Sequence, residues 1–547
     1  MRIGIDLDNT IIDYNSAFKK YIFAKKILIQ KKNLNKNNYL TKSILKSKIL
    51  KLKKGNIFWQ KIQGQIYGKY INMADIYSGF KRFVFLSNLR NFEIFIVSHK
   101  TKYGHFDKSK TLLRNSAIKF LKKNEFFISN KYPLKKNNIF FSNTRDEKIK
   151  IINQLNLDYF IDDLPEVLLD KKFSKKTKKI LINNEKNIKN KKFFFMNDWG
   201  EITKYFFNTL SKQDILRILE FMQIKNYQYI KKIKGGVNSK VFKVKIKNKD
   251  FCLKIYPINK DKRERCITEF NAFNYLRKNK IYNTPKSLKI DQDLNIAMYS
   301  WVEGSKLKNF DIKNVNNLIN FIKKLKNISE KAKLYDFKEA SESSINLSNI
   351  YIFNKNRIKI LKNNKINYKR FYDHILRIEE INNYQNLKLR QFLKRKKLSC
   401  NLSKEKLILS PSDISLKNII NKNKKDFYID FEYFGWDDPC KMLSDIIWHP
   451  SIKMNNLNYK EIINYFTAIF YKDKFFLERL AYTFNLYGVR WSLIMLNNFN
   501  NNENHDFKTL NFQTKKELLM QLKKSKKTIE NVLDDKYKRK YLNYEYI

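Results

Sequence analysis

Short apolar runs that end on polar residues alternate with amphipathic stretches through the first part of the chain. Arg2–Leu7, Phe92–Ser98 (FEIFIVS) and Tyr159–Asp163 (YFIDD) read as buried strands, and Glu147–Leu155 carries helical periodicity between two of them. Strand and helix taken in turn predict a doubly wound parallel α/β sheet. Ligands of such sheets sit beyond the carboxyl ends of the strands, where this chain places Asp and Ser. Further along the pattern changes. Two alternating stretches within Tyr229–Lys247 surround Gly235-Gly236, and FCLKIY (Phe251–Tyr256) follows, which predicts an antiparallel meander. Tyr459–Ile547 is patterned as amphipathic helix, and no internal repeat is present. LINN (Leu181–Asn184) and KFFFMNDWGEI (Lys192–Ile202) still read as edge elements of the first part, so the boundary is expected near Ser211, giving domains of 1–208 and 209–547.

Composition narrows the classes. A chain of 547 residues, 43% hydrophobic and 15% aromatic, can bury several cores and is not disordered. No apolar run approaches the roughly 20 residues of a membrane span, and Met1-Arg2 leads into a strand, not a signal peptide, so a soluble cytoplasmic protein is expected. Cys252, Cys266, Cys400 and Cys440 have no CxxC spacing, which predicts free thiols. The formal charge of +60 would ordinarily point to a polyanionic partner. Here Lys and Asn recur everywhere, in runs such as Lys31–Lys36 and Lys186–Lys192, which is compositional drift and not a basic stripe. Nucleic acid is therefore not the expected partner, whereas phosphorylated small molecules would be drawn in by the field.

The candidate chemistry lies at strand ends. IDLDNT (Ile5–Thr10) puts Asp6 and Asp8 on one side of an extended segment, since residues two apart share a face. A lone DxD is more often a solvated turn. Here VSHKT (Val97–Thr101), Lys148 and FIDDLPEVL (Phe160–Leu168) follow in order, and together the four segments resemble the motifs of the haloacid dehalogenase superfamily of phosphohydrolases over residues 1–208. The resemblance implies that Asp6 is a nucleophile attacking phosphorus and that Asp8 is an acid and base for the leaving group and water. Ser98 would bond a phosphoryl oxygen, and Lys148, or Lys150 beside it, would neutralise charge. Asp6, the Asp8 carbonyl and the Asp162-Asp163 pair would hold Mg2+. Tyr14–Phe80 would be a cap over the site.

A second set lies downstream: Gly235-Gly236, Lys254 in an apolar strand, Glu269 in ITEFNAFNYL, and SDISLKN…YIDFE. Residues 226–450 resemble the aminoglycoside phosphotransferase and choline kinase family, which implies a protein-kinase-like α+β domain of two lobes. By that resemblance the glycines and Lys254 would bind the phosphates of ATP, Glu269 would hold the lysine, Asp413 would orient the acceptor hydroxyl, and Asn418 and Asp430 would bind Mg2+. MYSWVEG (Met298–Gly304) falls at the adenine-binding hinge, and Trp436, Asp437, Asp438 and Asp445 are candidates for the acceptor pocket. One departure stands out, since the family's His-Gly-Asp reads Pro411-Ser412-Asp413 here. The pairing implies a bifunctional enzyme that moves phosphate on one metabolite, expected to be a sugar phosphate of surface-polysaccharide or nucleotide-sugar synthesis. The alternatives are an end-repair phosphatase/kinase, disfavoured because GxxxxGK[ST] is absent, and a phosphatase regulated by a non-catalytic nucleotide-binding domain.

Overall fold

The computed structural model of the chain describes residues 1–25, 41–127, 130–182, 192–233, 239–258, 263–364, 366–500, 507 and 510–535. Gly235, Gly236, the run Lys31–Lys36 and all of Lys186–Lys192 but its last residue lie outside them. The chain folds as two compact units, Met1–Arg263 with Lys289–Met298, and Glu264–Leu288 with Tyr299–Ile547.

In the first unit β1 (Arg2–Ile5), β2 (Glu93–His99), β3 (Ile139–Ser142), β4 (Tyr159–Asp162), β5 (Lys178–Ile182) and β6 (Phe194–Met196) form one sheet in the order β3-β2-β1-β4-β5-β6. Every pair is parallel. Both faces are covered, which is why β2 reads as an unbroken apolar run: Ile94 and Ile96 pack into one core, Phe95 and Val97 into the other. Gly4 is glycine because a Cβ there would lie 2.3 Å from Leu157 and 2.6 Å from Phe160. The strand order reverses beside β1, so the switch point falls between the ends of β1 and β4. β1 ends two residues before the predicted Leu7, because the chain turns there and the Leu7 carbonyl accepts from Ile11 and Ile12.

Between β1 and β2 lie α1 (Asn15–Ala24), α2 (Lys42–Leu50), α3 (Gly55–Tyr67) and α4 (Phe80–Leu89), the first three filling the predicted insert. α5 (Arg145–Gln154) precedes β4, with the Thr144 hydroxyl accepting from Glu147 N at 3.1 Å and Asp146 and Glu147 in its first turn. A capping box of Ser211 and Asp214 opens α6 (Lys212–Phe221) at the expected boundary. The same unit takes in the predicted meander: β7 (Tyr227–Ile233), β8 (Lys240–Ile246) and β9 (Lys249–Ile255) are antiparallel neighbours, in a sheet completed by β10 (Ser287–Asp291) and β11 (Ile296–Ser300) in the order β10-β11-β9-β8-β7.

The second unit is mostly helical. It contains α7 (Arg265–Lys278), α8 (Ile312–Lys331), α9 (Ser348–Lys362), α10 (Lys369–Arg395), α11 (Pro439–Trp448), α12 (Asn456–Ile469), α13 (Phe476–Met495) and α14 (Phe512–Leu533). Short strands carry the candidate loop: β12 (Ile408–Ser410) pairs with β15 (Gly435–Asp437), and the hairpin of β13 (Ile419–Lys422) and β14 (Lys425–Tyr428) turns through Asn423 and Lys424, both at positive φ. None of the four cysteines is in a disulfide, and among the described residues no helix is long and apolar enough to cross a membrane.

Candidate active sites

The switch point of the parallel sheet gathers the first set of residues. Asp6 follows β1, its N–H bonded to the Ile161 carbonyl of β4, and Asp162 ends β4. Lys148, on α5, reaches both: its ammonium lies 2.6 Å from Asp6 Oδ1 and 2.6 Å from Asp162 Oδ2, all three residues being buried. Lys150, the other candidate, is exposed. Asp162 is further fixed by the Leu164 N–H at 2.9 Å. Carboxylate oxygens of Asp6, Asp162 and Asp163 lie within 4.8 Å of one another, an all-oxygen set that suits a hard divalent cation. Burial pushes the Asp6 carboxyl up to about 7, against the pull of Lys148 and with Asp162 and Asp8 adding to the rise. Asp163 is raised by burial and by the same neighbouring carboxylates. Ser98, at the end of β2, is buried with its hydroxyl unpartnered. A buried orphan hydroxyl costs about 1–3 kcal/mol, so this one has hydrogen-bonding capacity left for a group the chain does not supply.

Asp8 is held apart from that trio. Its carboxylate accepts from Lys100 Nζ at 2.7 and 2.8 Å and from the Tyr14 hydroxyl at 2.8 Å. The insert adds Lys42, whose ammonium donates to Asn9 Oδ1 and to the Tyr67 hydroxyl at 2.8 Å each, while Tyr67 stacks on Tyr14 at 4.1 Å. Burial lowers Lys42 against the opposing pull of Asp163 and Asp8. Asn9 sits at φ 62, a left-handed conformation that Asn tolerates, and the Trp199 indole fixes the next residue by donating to the Thr10 carbonyl. Sequence reasoning missed Lys100, Lys42, Tyr14 and Tyr67. Lys100 was within reach, two residues after Ser98 on the same alternation. The other three come from the insert, where nothing in the pattern marks a side chain as turned to the site.

The second unit carries Asp413 and Asn418 on the loop between β12 and β13. Asn418 Nδ2 donates to the Asp413 carbonyl and to its carboxylate at 3.1 Å each, and the Asn418 carbonyl accepts from Ile429 N, next to Asp430. Asp430 is left-handed at φ 69. Carboxylate oxygens of Glu269, Asp430 and Glu432 lie within 4.8 Å of one another. Glu269 also accepts from Phe431 N at 3.2 Å, and Glu432 pairs with Arg265 at 2.7 Å. Burial lifts Asp413 to about 6, with Asp430 adding and the Asn418 hydrogen bond opposing. Lys254 is buried in β9 of the first unit. Asp437 and Asp438 do not line a pocket: both are fully buried, paired with Lys441 and Arg479, and Trp436 is core beside them. Asp445 pairs with Arg490 at 2.6 Å.

No family model matches the chain. A protein of Oceanobacillus iheyensis, provisionally named a nucleotidase, is 28% identical over 204 residues, which is 37% of this chain and 96% of that protein. Among solved structures, choline kinase from Cryptosporidium parvum Iowa II is 14% identical at a TM-score of 0.40, covering 60% of this chain and 97% of that one. The aminoglycoside phosphotransferase APH(2'')-Ib, ADP-bound, is 17% identical at 0.40, with 58% and 99% covered, and a choline kinase of Streptococcus pneumoniae is 14% identical at 0.41, with 59% and 100% covered.

Proposed function

We propose that this chain is a bifunctional phosphate-transfer enzyme. Residues 1–208, with Tyr14–Phe80 as cap, form a Mg2+-dependent phosphomonoesterase, and 209–547 an ATP-dependent kinase for a small hydroxylated metabolite. The observation that carries the first half is the Lys148 ammonium shared by Asp6 and Asp162, with the unpartnered Ser98 hydroxyl at the end of the strand that pairs with β1. The 204-residue match to a protein provisionally named a nucleotidase supports it and is close in length to the proposed domain.

Asp6 Oδ attacks phosphorus, an aspartyl phosphate forms, and the ester P–O bond breaks as the leaving oxygen takes a proton from Asp8. Water then attacks the same phosphorus, Asp8 takes its proton, and the Asp6 carboxylate and inorganic phosphate are released. For the first step the Asp8 carboxyl must exchange Lys100 for the leaving oxygen. Lys148 and the Ser98 hydroxyl stabilise the phosphoryl oxygens. A divalent ion held by Asp6, Asp162 and Asp163 would offset the repulsion between carboxylate and phosphate.

In the kinase half the acceptor hydroxyl attacks the γ-phosphorus, its bond to the β–γ bridging oxygen breaks to release ADP, and Asp413 takes the acceptor's proton. Asn418 and Asp430 are assigned to metal; Lys254, Gly235 and Gly236 to nucleotide phosphates, with Glu269 in the same set. The substrate class proposed for the phosphatase is sugar phosphates, as in nucleotide-sugar or surface-polysaccharide synthesis. Nucleoside monophosphates are the second reading, favoured by the name of the relative. Phosphate release from both classes should require Mg2+ and vanish in Asp6→Asn. That variant, given labelled ATP with sugars, amino alcohols and aminoglycosides, should transfer label until Asp413 is also changed to Ala. Phosphate release by Asp6→Asn, or label transfer surviving the loss of Asp413, would overturn the corresponding half.

A further inference from the structure

We infer that Ser412 and Lys441 brace Asp413; this rests on the kinase reading of Asp413. Ser412 directly precedes Asp413 and sits at φ 66. A left-handed backbone costs a non-glycine residue about 1–2 kcal/mol, so something must hold it. Every polar group of Ser412 except its carbonyl has a named partner. Its N–H donates to Ser410 Oγ at 3.0 Å, its hydroxyl donates to the Ser341 carbonyl at 3.2 Å, and the same hydroxyl accepts from Lys441 Nζ at 3.3 Å.

Lys441 lies in the first turn of α11 and is fully buried. Its ammonium is 2.7 Å from Asp437 Oδ2 and 3.2 Å from Asp445 Oδ2. Asp445 is anchored in turn by Arg490 Nη1 at 2.6 Å and the Trp491 indole at 2.9 Å. Arg490 reaches on to Glu342 at 2.8 Å, which Arg357 also pairs. Three carboxylates thus face three cations, running from the buried Lys441 out to the partly exposed Arg357, with the charge balanced. A buried network of this kind adds little net stability relative to apolar packing. What it does provide is a rigid frame with one free valence, and that valence is directed at Ser412. The hydroxyl therefore couples the frame to the loop that carries Asp413, whose own carboxylate accepts from Asn418.

The test uses the full chain carrying Asp6→Asn, with Mg·ATP hydrolysis, label transfer to the acceptor panel, and nucleotide affinity measured by titration of a fluorescent ATP analogue. Ser412→Ala and Ser412→Gly should each lose turnover about 10- to 100-fold, the scale on which a small misplacement of a reacting group acts, with nucleotide Kd changed less than about twofold. Glycine relieves the backbone conformation and alanine does not, so equal losses assign the effect to the hydroxyl. Lys441→Met should lose the same turnover; if it fails to fold, the Ser412 pair still decides. Parent-like turnover in either Ser412 variant overturns the brace, as does a loss of nucleotide affinity equal to the loss of turnover, which is the mark of general damage. A parent chain that neither hydrolyses nor transfers phosphate from ATP overturns the kinase reading and the brace with it.

Discussion

Lys148→Met keeps the length and apolar stem of the side chain and removes its charge, leaving the buried Asp6 and Asp162 carboxylates without their shared cation. Breaking a buried ion pair by deleting one partner costs about 3–5 kcal/mol. For a unit of this size each kcal/mol shifts melting by about 2–4 °C, so the first unit should melt about 6–20 °C lower in EDTA. Mg2+ should return part of the loss, about 2.7 kcal/mol at a hundredfold excess over Kd. It should stabilise the variant more than the parent, because in the parent Lys148 competes for the same oxygens. Turnover should fall about 10²- to 10³-fold, the usual loss for one preorganised electrostatic contact. The pH dependence has a definite sign. Asp6 in the folded state is pushed up to about 7, from an ordinary value of 3.8, so the stability linked to its proton is present at low pH and lost as pH rises through about 7. Losing Lys148 raises the carboxyl further, so the melting deficit should be larger at pH 8 than at pH 5. Calorimetry in EDTA and Mg2+ at both pH values, with phosphate release from p-nitrophenyl phosphate, measures all of this. Parent-like melting in EDTA together with parent-like turnover would refute the reasoning.

Lys42→Ala removes a charge-assisted contact to Asn9 while leaving Asp6 and Lys148 untouched. It should raise KM for phosphate monoesters about tenfold or more with a smaller effect on kcat; an unchanged KM across sugar phosphates and nucleoside monophosphates would remove Lys42 from the substrate site. For Glu342, burial would raise the carboxyl, but Arg490 and Arg357 outweigh it and hold it at about 2, from an ordinary 4.5. That stability is present above about pH 4.5 and lost as pH falls toward 2, about 3 kcal/mol in all. Glu342→Gln should flatten the acid limb of the second unit's denaturant stability, and identical slopes in parent and variant would contradict it.

Much of the fold was legible because its signals are local. Buried parallel strands need continuous apolar runs, and FEIFIVS and YFIDD could be little else. The strand ends were equally legible, and the structure places Asp6, Ser98 and Asp162 there, all three buried. Between Lys148 and Lys150 the sequence left a choice, and the two differ in burial, Lys148 being buried and Lys150 exposed. What stayed hidden is tertiary. Nothing local says that Lys42 and Tyr67 turn toward Asn9, or that Asp437 and Asp438, which read as pocket residues beside Asp430, are instead neutralised by Lys441 and Arg479 across a helix turn and a distant helix. The β7–β9 meander was legible as strands, whereas its inclusion in the first compact unit depends on contacts that no periodicity encodes.

Burial turns the chain's least informative residue into its most informative one. With 112 Lys and Arg in the sequence, a lysine at any position says almost nothing, and drift toward Lys predicts that each will be solvated. An ammonium withdrawn from water without a partner is expensive, so drift alone does not bury one. Among the described residues four lysines are buried: Lys100, Lys148, Lys254 and Lys441. Three of them pair with carboxylates in or behind the two candidate sites, and the fourth is the strand lysine proposed for nucleotide phosphates. Selection against the desolvation cost therefore accounts for their positions where composition cannot. The surface lysines, by the same reasoning, should be replaceable in groups by glutamine with little change in either activity, whereas each of the four should prove individually sensitive. A surface block whose replacement abolishes phosphate release or transfer would show that the diffuse charge itself is part of the function.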